Sequence, residues 1–214
     1  MLARNLSESL RTRATAIVME PTIQDFTIYA EQHPKKVPPA VIGFLRYKPE
    51  YLHQHREDVL RFPTQRCWVE ASKRMYGCEP DADLLNNGKR EAWKVLVSLK
   101  CGDHVGSEFW AWYRVVRNVN VPKILTEGTI QHSLDETDAM MVQYAAIFAV
   151  SQELNSNGVK NHYTGLHQFV NDLQREMRVA LVTQLSGASR SAIATKFKDA
   201  ADLLLVDLIP VVTP

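Results

Sequence analysis

The chain has 214 residues, 45% of them apolar, and 25 basic against 24 acidic side chains leave a formal charge of +1. That apolar share suffices for a buried core, in one large domain or two small ones. The two signs of charge are interspersed, so the basic footprint of a duplex-binding domain is missing and nucleic acid is unsupported as a partner.

The most apolar run, 139–150, is too short to span a bilayer, and residues 1–13 lack the apolar centre of a signal peptide. Cys67, Cys78 and Cys101 are an odd number at spacings that fit no zinc pattern. Reduced thiols in the cytoplasm are therefore expected, with no membrane association.

In chain order, residues 14–19 are small or β-branched and stop before Pro21, which predicts a short strand. A single strand cannot satisfy its own backbone, so its sheet partners are expected outside this sequence. Thr22 caps a predicted helix carrying Ile23, Phe26, Ile28 and Ala30, which ends before His33-Pro34. Prolines 38 and 39 open a second helix over 40–46, with Val41, Phe44 and Leu45 on one face. Residues 47–61 are polar, carry His53 and His55, and read as a loop with a short helix.

The stretch Phe62-Pro63-Thr64-Gln65-Arg66-Cys67-Trp68 then starts a further helix. Thr64 is its N-cap, and Cys67, Trp68, Ala71 and Met75 recur at helical spacing. Arg66 falls in the first turn, where free backbone N–H groups and a forked guanidinium converge, an arrangement suited to a phosphate. Residues 78–83 read as a loop and a seam between subdomains. Beyond it, helices are predicted over 91–99 and 108–116, with Trp93, Leu96, Phe109, Trp112, Tyr113 and Val116 as core. A long apolar helix follows over 135–154. Leu166, Phe169, Val170, Leu173, Met177 and Leu181 then mark one amphipathic helix closed by Gly187, and a last helical segment runs over 189–209.

Several chemical constellations are weighed and set aside. A phosphate loop is absent, because around Gly88-Lys89 an aspartate, Asp83, stands where the first glycine belongs and Arg90 where a serine or threonine belongs. Asp103-His104 is similar to the metal pair of HD-type phosphohydrolases, but the further ligands are missing. Cys67 beside Arg66 lacks His and Asn or Asp partners for a nucleophile, and His162 and His167 do not share a helix face. Trp110, Trp112 and Tyr113 could stack bases, yet their helical spacing on an apolar segment suits a core.

Taken in order, these segments resemble the C-terminal part of MoxR-type AAA+ ATPases. The segment Leu6 to Pro21, with Arg11-Thr12-Arg13, resembles the arginine-bearing segment and short strand of that family. His33 to Pro49 carries the His-Pro, Val, Phe-Leu and Pro positions of "HP-x-V-x-x-F-L-x-x-x-P" at wider spacing, Phe62 to Trp68 follows "F-P-x-x-R-x-W", and Val105-Gly106-Ser107-Glu108-Phe109 is similar to its "VG-x-x-x-x-EF" helix in shortened form. The resemblance implies a mainly α architecture: residues 1–21 as the last strand segment of the AAA+ core, 22–79 as the helical lid and 80–214 as a C-terminal helical extension. It further implies that Arg13, with Arg11 as the close alternative, is the catalytic arginine finger, and that Arg66 is the sensor-2 arginine that contacts bound nucleotide. By the same implication the full-length protein is a homo-oligomer, a ring of six subunits. It binds ATP and Mg2+ through a core upstream of Met1, and as a hydrolase and chaperone it remodels a client, with a von Willebrand A domain protein as partner. The chain alone is expected to bind neither ATP nor Mg2+. A non-catalytic helical protein-binding or assembly module is the other reading.

Without a phosphate loop or paired magnesium-binding acids, the chain by itself is expected to show no ATP turnover above background. EDTA-sensitive phosphate release that scales with protein concentration would contradict this.

Overall fold

In the computed structural model, residues 22–33, 35–54, 60–82, 84, 91–130 and 139–206 are described, and all their regular structure is helical, with no strand among them. The strand expected over 14–19 lies outside the described residues, as do Arg11 and Arg13.

Local capping chemistry sets the first helix starts. Thr22 is extended and its hydroxyl accepts from the Asp25 amide, opening α1 (Ile23–Gln32). Pro39, at the first helical position where a missing N–H costs nothing, opens α2 (Pro39–Tyr47), and a short 3-10 turn, Pro49–Tyr51, follows. Thr64 repeats the cap for α3 (Gln65–Met75).

Only Gly102 separates α4 (Ala92–Cys101) from α5 (Asp103–Asn118). Its φ of +101° is open to glycine, and an added Cβ would lie 3.0 Å from the Arg61 carbonyl. Both helices exceed their predicted lengths, so Asp103 and His104 belong to the first turn of α5 rather than to a loop.

A helix not anticipated from sequence, α6 (Val121–Glu127), is capped by the Asn120 side chain and ended by Gly128 in the left-handed region. Then comes α7 (Ala139–Asn157), the longest, which runs three residues past its predicted end. The single amphipathic helix expected from Leu166 onward is two: α8 (Leu166–Asp172) and α9 (Arg175–Gln184), broken where Leu173 and Gln174 turn extended. Arg178 Nη1 donates to the Leu173 carbonyl at 2.9 Å, which satisfies a group the break frees. The break leaves the apolar stripe intact, for Leu173, Met177 and Leu181 all stay buried. Gly187 opens a helix rather than closing one. Ser186 caps α10 (Gly187–Lys196) by accepting from the Ser189 amide, and Phe197 separates it from α11 (Lys198–Val206).

Packing divides into two main apolar clusters. The first centres on Phe44, whose ring lies 5.4–5.9 Å from those of Tyr51, Trp68, Phe109 and Trp112. It draws on Trp68 and Met75 as well as Leu96 and Phe109, so it runs across the seam expected near residue 80. The second gathers Ile124, Leu154, Phe169, Leu181 and Ile193 from the helices after α5. α7 contributes to both, Phe148 to the first and Ile147 and Leu154 to the second. Consecutive buried residues from Ala145 to Phe148 show why: the middle of this helix is enclosed around its circumference, while its two ends are exposed.

At Gly43, α2 passes so close to its neighbours that an added Cβ would stand 2.5 Å from Phe148 Cδ2 and 2.8 Å from Trp112 Cη2. Gly43→Ala is therefore expected to destabilise by about 1–3 kcal/mol through overpacking. Gly187→Ala, whose Cβ meets nothing within 4 Å, is expected to be neutral or stabilising by up to about 1 kcal/mol. Urea unfolding of the two variants checks both, and a wild-type midpoint for Gly43→Ala would refute the close approach.

Candidate functional site

The start of α3 is fixed from three directions before any functional side chain is considered. The Gln54 amide donates to the Pro63 carbonyl at 3.1 Å and holds the preceding loop. Thr64 Oγ1 accepts from the Cys67 amide at 3.2 Å, and its carbonyl accepts from the Trp68 amide at 3.0 Å. Trp68 is fully buried, and its indole N–H donates to the Tyr51 carbonyl at 2.7 Å, which ties the first turn of α3 to the turn after α2. Aromatic body and polar edge of one side chain thus set both the depth and the rotation of the helix.

Arg66 is the second residue of this rigid turn and is exposed. The arrangement is not one that a helix chooses for its own stability, because a cation at the positive end of the helix dipole is unfavourable by about 0.3–1 kcal/mol. Its surroundings are cationic as well. Glu70, one turn on, has its carboxyl held below the usual range by the hydrogen bond and charge of Lys73, with further contributions from Lys100 and Arg66. Arg66, Lys73 and Lys100 therefore all act on the half-exposed Glu70 carboxylate, with which Lys73 already pairs at 2.9 Å, and leave this face with a cationic excess. Such a face can attract and orient an anion, and the forked guanidinium can bind two of its oxygens at once.

Beside this helix start lies a cavity of about 420 Å³, bordered by Arg61, Phe62, Pro63, Ser98, Gly102 and His104. His104 Nε2 is 2.9 Å from the Tyr51 hydroxyl, so the histidine of the Asp103-His104 pair is held by a tyrosine rather than placed among metal ligands. Burial, followed by the charges of Glu108 and Glu50, raises the Tyr51 phenol above its ordinary range and keeps it a neutral hydrogen-bond partner. Among the described residues no group of three His, Cys, Asp or Glu side chains could hold a metal ion.

The other sequence candidates fall elsewhere. Cys67 is half-buried and packs against the first cluster, while burial pushes the neighbouring Cys101 thiol far above its ordinary range, so Cys101 stays protonated. Trp110 and Trp112 are buried and offer no stacking platform. His53, His162 and His167 are exposed and separate. Sequence reading passed over Arg46, in the last turn of α2, which lines a second cavity. Its signal was visible: it is the one charged residue in the otherwise apolar run from Val37 to Tyr47.

Comparison of the chain with protein-family models, with curated proteins and with solved structures finds no match.

The cap and the arginine separate cleanly in a stability measurement. Thr64→Ala is expected to cost about 0.5–2 kcal/mol by orphaning the Cys67 amide. Arg66→Ala, at an exposed position, should change stability by no more than about 0.5 kcal/mol. A large loss on Arg66→Ala in urea unfolding would make it a structural residue.

Proposed function

We propose that this chain forms the lid and helical C-terminal part of a MoxR-type AAA+ ATPase, with Arg66 as the arginine that senses the nucleotide of its own subunit. The observation that carries the reading is the α3 start, a rigid, Thr64-capped turn that presents Arg66 exposed at the positive end of a helix. A sensor needs that combination. Its guanidinium must be free to bind phosphate oxygens, yet its helix must be stiff enough to pass their loss on as movement of the lid. The Trp68 indole bond to Tyr51 supplies such stiffness, since it couples α3 to the turn that follows α2 and to the aromatic cluster.

In this reading the nucleotide-binding core, with its phosphate loop and magnesium-binding acids, belongs to the full-length protein. Arg13, or Arg11 beside it, reaches the nucleotide of a neighbouring subunit in a six-membered ring. Stabilising the charge that develops on the transferred phosphoryl group is worth about 10³ to 10⁵ in rate. ATP and Mg2+ are then ligands of the ring, and the client is a protein that the ring remodels, with a von Willebrand A domain protein as the partner class. The wholly helical character of the described residues equally suits a helical assembly module, and the same experiment separates the two.

In the full-length protein, Arg66→Ala is expected to alter ATP binding and abolish most hydrolysis together, without rescue by an intact neighbouring subunit. Arg13→Ala should leave ATP binding nearly intact and slow hydrolysis, and mixing it with a phosphate-loop variant whose finger is intact should restore part of the activity. Nucleotide affinity and steady-state phosphate release measure both. Wild-type hydrolysis by Arg66→Ala, or a reading frame with no phosphate loop, would leave the assembly module as the better account.

A further inference from the structure

A second cavity, of about 320 Å³, opens between α1, α2, α7 and the turn joining α9 to α10. That places it at the lower end of the size range of small-ligand sites, roughly 300–1,000 Å³. Its apolar lining comes from Val37, Ile42, Phe148 and Leu185. Its polar wall is held in place before any ligand arrives. Asn155 Nδ2 donates to the Gln184 carbonyl at 2.8 Å, and Asn155 Oδ1 accepts from the Ser186 amide at 2.9 Å, so one side chain clamps the whole turn to α7. The single Ser151 hydroxyl proton is shared between the Phe148 carbonyl at 2.9 Å and Gln184 Oε1 at 3.2 Å, and this contact to Oε1 leaves the Gln184 N–H donors for another partner.

Arg46 lines the same cavity and is half-buried. Burial lowers its pKa, an effect only partly offset by the charge of Glu31, which stands nearby without forming an ion pair. A desolvated guanidinium with no hydrogen-bonded carboxylate among the described residues is costly unless an anion is supplied. Glu31, also in the lining, decides which anion. Its negative charge disfavours a doubly charged phosphate and leaves a single carboxylate as the better match, and the apolar lining calls for an aliphatic body behind it.

We propose that this cleft binds an aliphatic group ending in a carboxylate, with the two oxygens on the Arg46 fork, the Gln184 amide as a further donor, and the hydrocarbon part against Phe148 and Ile42. The source is either the last residue of a peptide chain or a small free acid. The assignment stands independently of the ATPase reading, since neither Arg66 nor Arg13 takes part.

Calorimetric titration of the 214-residue chain with N-acetyl-leucine, N-acetyl-leucinamide and an acetylated tetrapeptide ending in leucine tests it. The acid is expected to bind about tenfold more tightly than its amide, a difference of the size that one charged bidentate pair contributes. Arg46→Gln should lose that preference, and Glu31→Gln, at an exposed position, should tighten the acid and leave the amide unchanged. A tetrapeptide about tenfold tighter than N-acetyl-leucine identifies a peptide C-terminus as the source, and equal affinity identifies a small acid. Equal binding of acid and amide, no saturable binding of either acid, or an acid affinity unmoved by Glu31→Gln would overturn the proposal. The acid and amide comparison uses the wild-type chain, so a folding defect in Arg46→Gln does not remove the test.

Discussion

The closeness with which α2 passes α5 and α7 at Gly43 governs the geometry of the first half of the molecule. Only a residue without a side chain admits the edges of Phe148 and Trp112 there, and that approach brings Phe44 within ring contact of Tyr51, Trp68, Phe109 and Trp112. Trp68, once drawn into this cluster, offers its indole N–H to the Tyr51 carbonyl and so sets the rotation of α3. Arg66 is exposed because of that rotation. Three residues after Gly43, Arg46 is carried to the edge of the cleft that Phe148 floors. A single steric constraint thus positions both arginines.

The two arginines stand in opposite electrostatic settings. Arg46 sits in the last turn of its helix, where the dipole favours a cation, but it is half-buried and loses hydration. Arg66 keeps its hydration and sits in a first turn, where the dipole opposes it. In each case one unfavourable contribution remains, and in each case an anion would relieve it. The routes differ: at Arg66 the anion would also meet free backbone N–H groups, whereas at Arg46 it would meet an oriented amide and a hydrocarbon wall. A multiply charged phosphate suits the first setting and a lone carboxylate the second.

α7 joins the halves mechanically. It is enclosed by both clusters, and Asn155 and Ser151 near its end hold the α9 to α10 turn by hydrogen bonds. A displacement of the turn would reach Phe148 and through it Trp112, whose rings lie 5.4 Å apart. Packed interiors transmit strain in this way because they lack the free volume to absorb it.

What the sequence determined by itself was local. Thr22 and Thr64 start helices because a hydroxyl in an extended residue can reach an amide three positions on, whatever the rest of the chain does. The core positions of Phe109 and Trp112 follow from their spacing, and both are fully buried. The place of Arg66 in a first turn was legible from the same cap, whereas its exposure depends on the rotation that Trp68 sets through Tyr51. The break at Leu173–Gln174 was not, because the apolar spacing runs through it unchanged and no Gly or Pro marks it; only packing in the second cluster and the bond from Arg178 decide that the helix parts there. Gly187 carried an ambiguous signal, since glycine closes a helix as readily as it follows an N-cap, and it was Ser186, accepting from the Ser189 amide, that decided. Arg46 was visible as the odd charge in an apolar run, but the cavity it lines also needs Glu31, Phe148 and Gln184, which lie far apart in the chain and meet only when α1, α2, α7 and α9 are packed together.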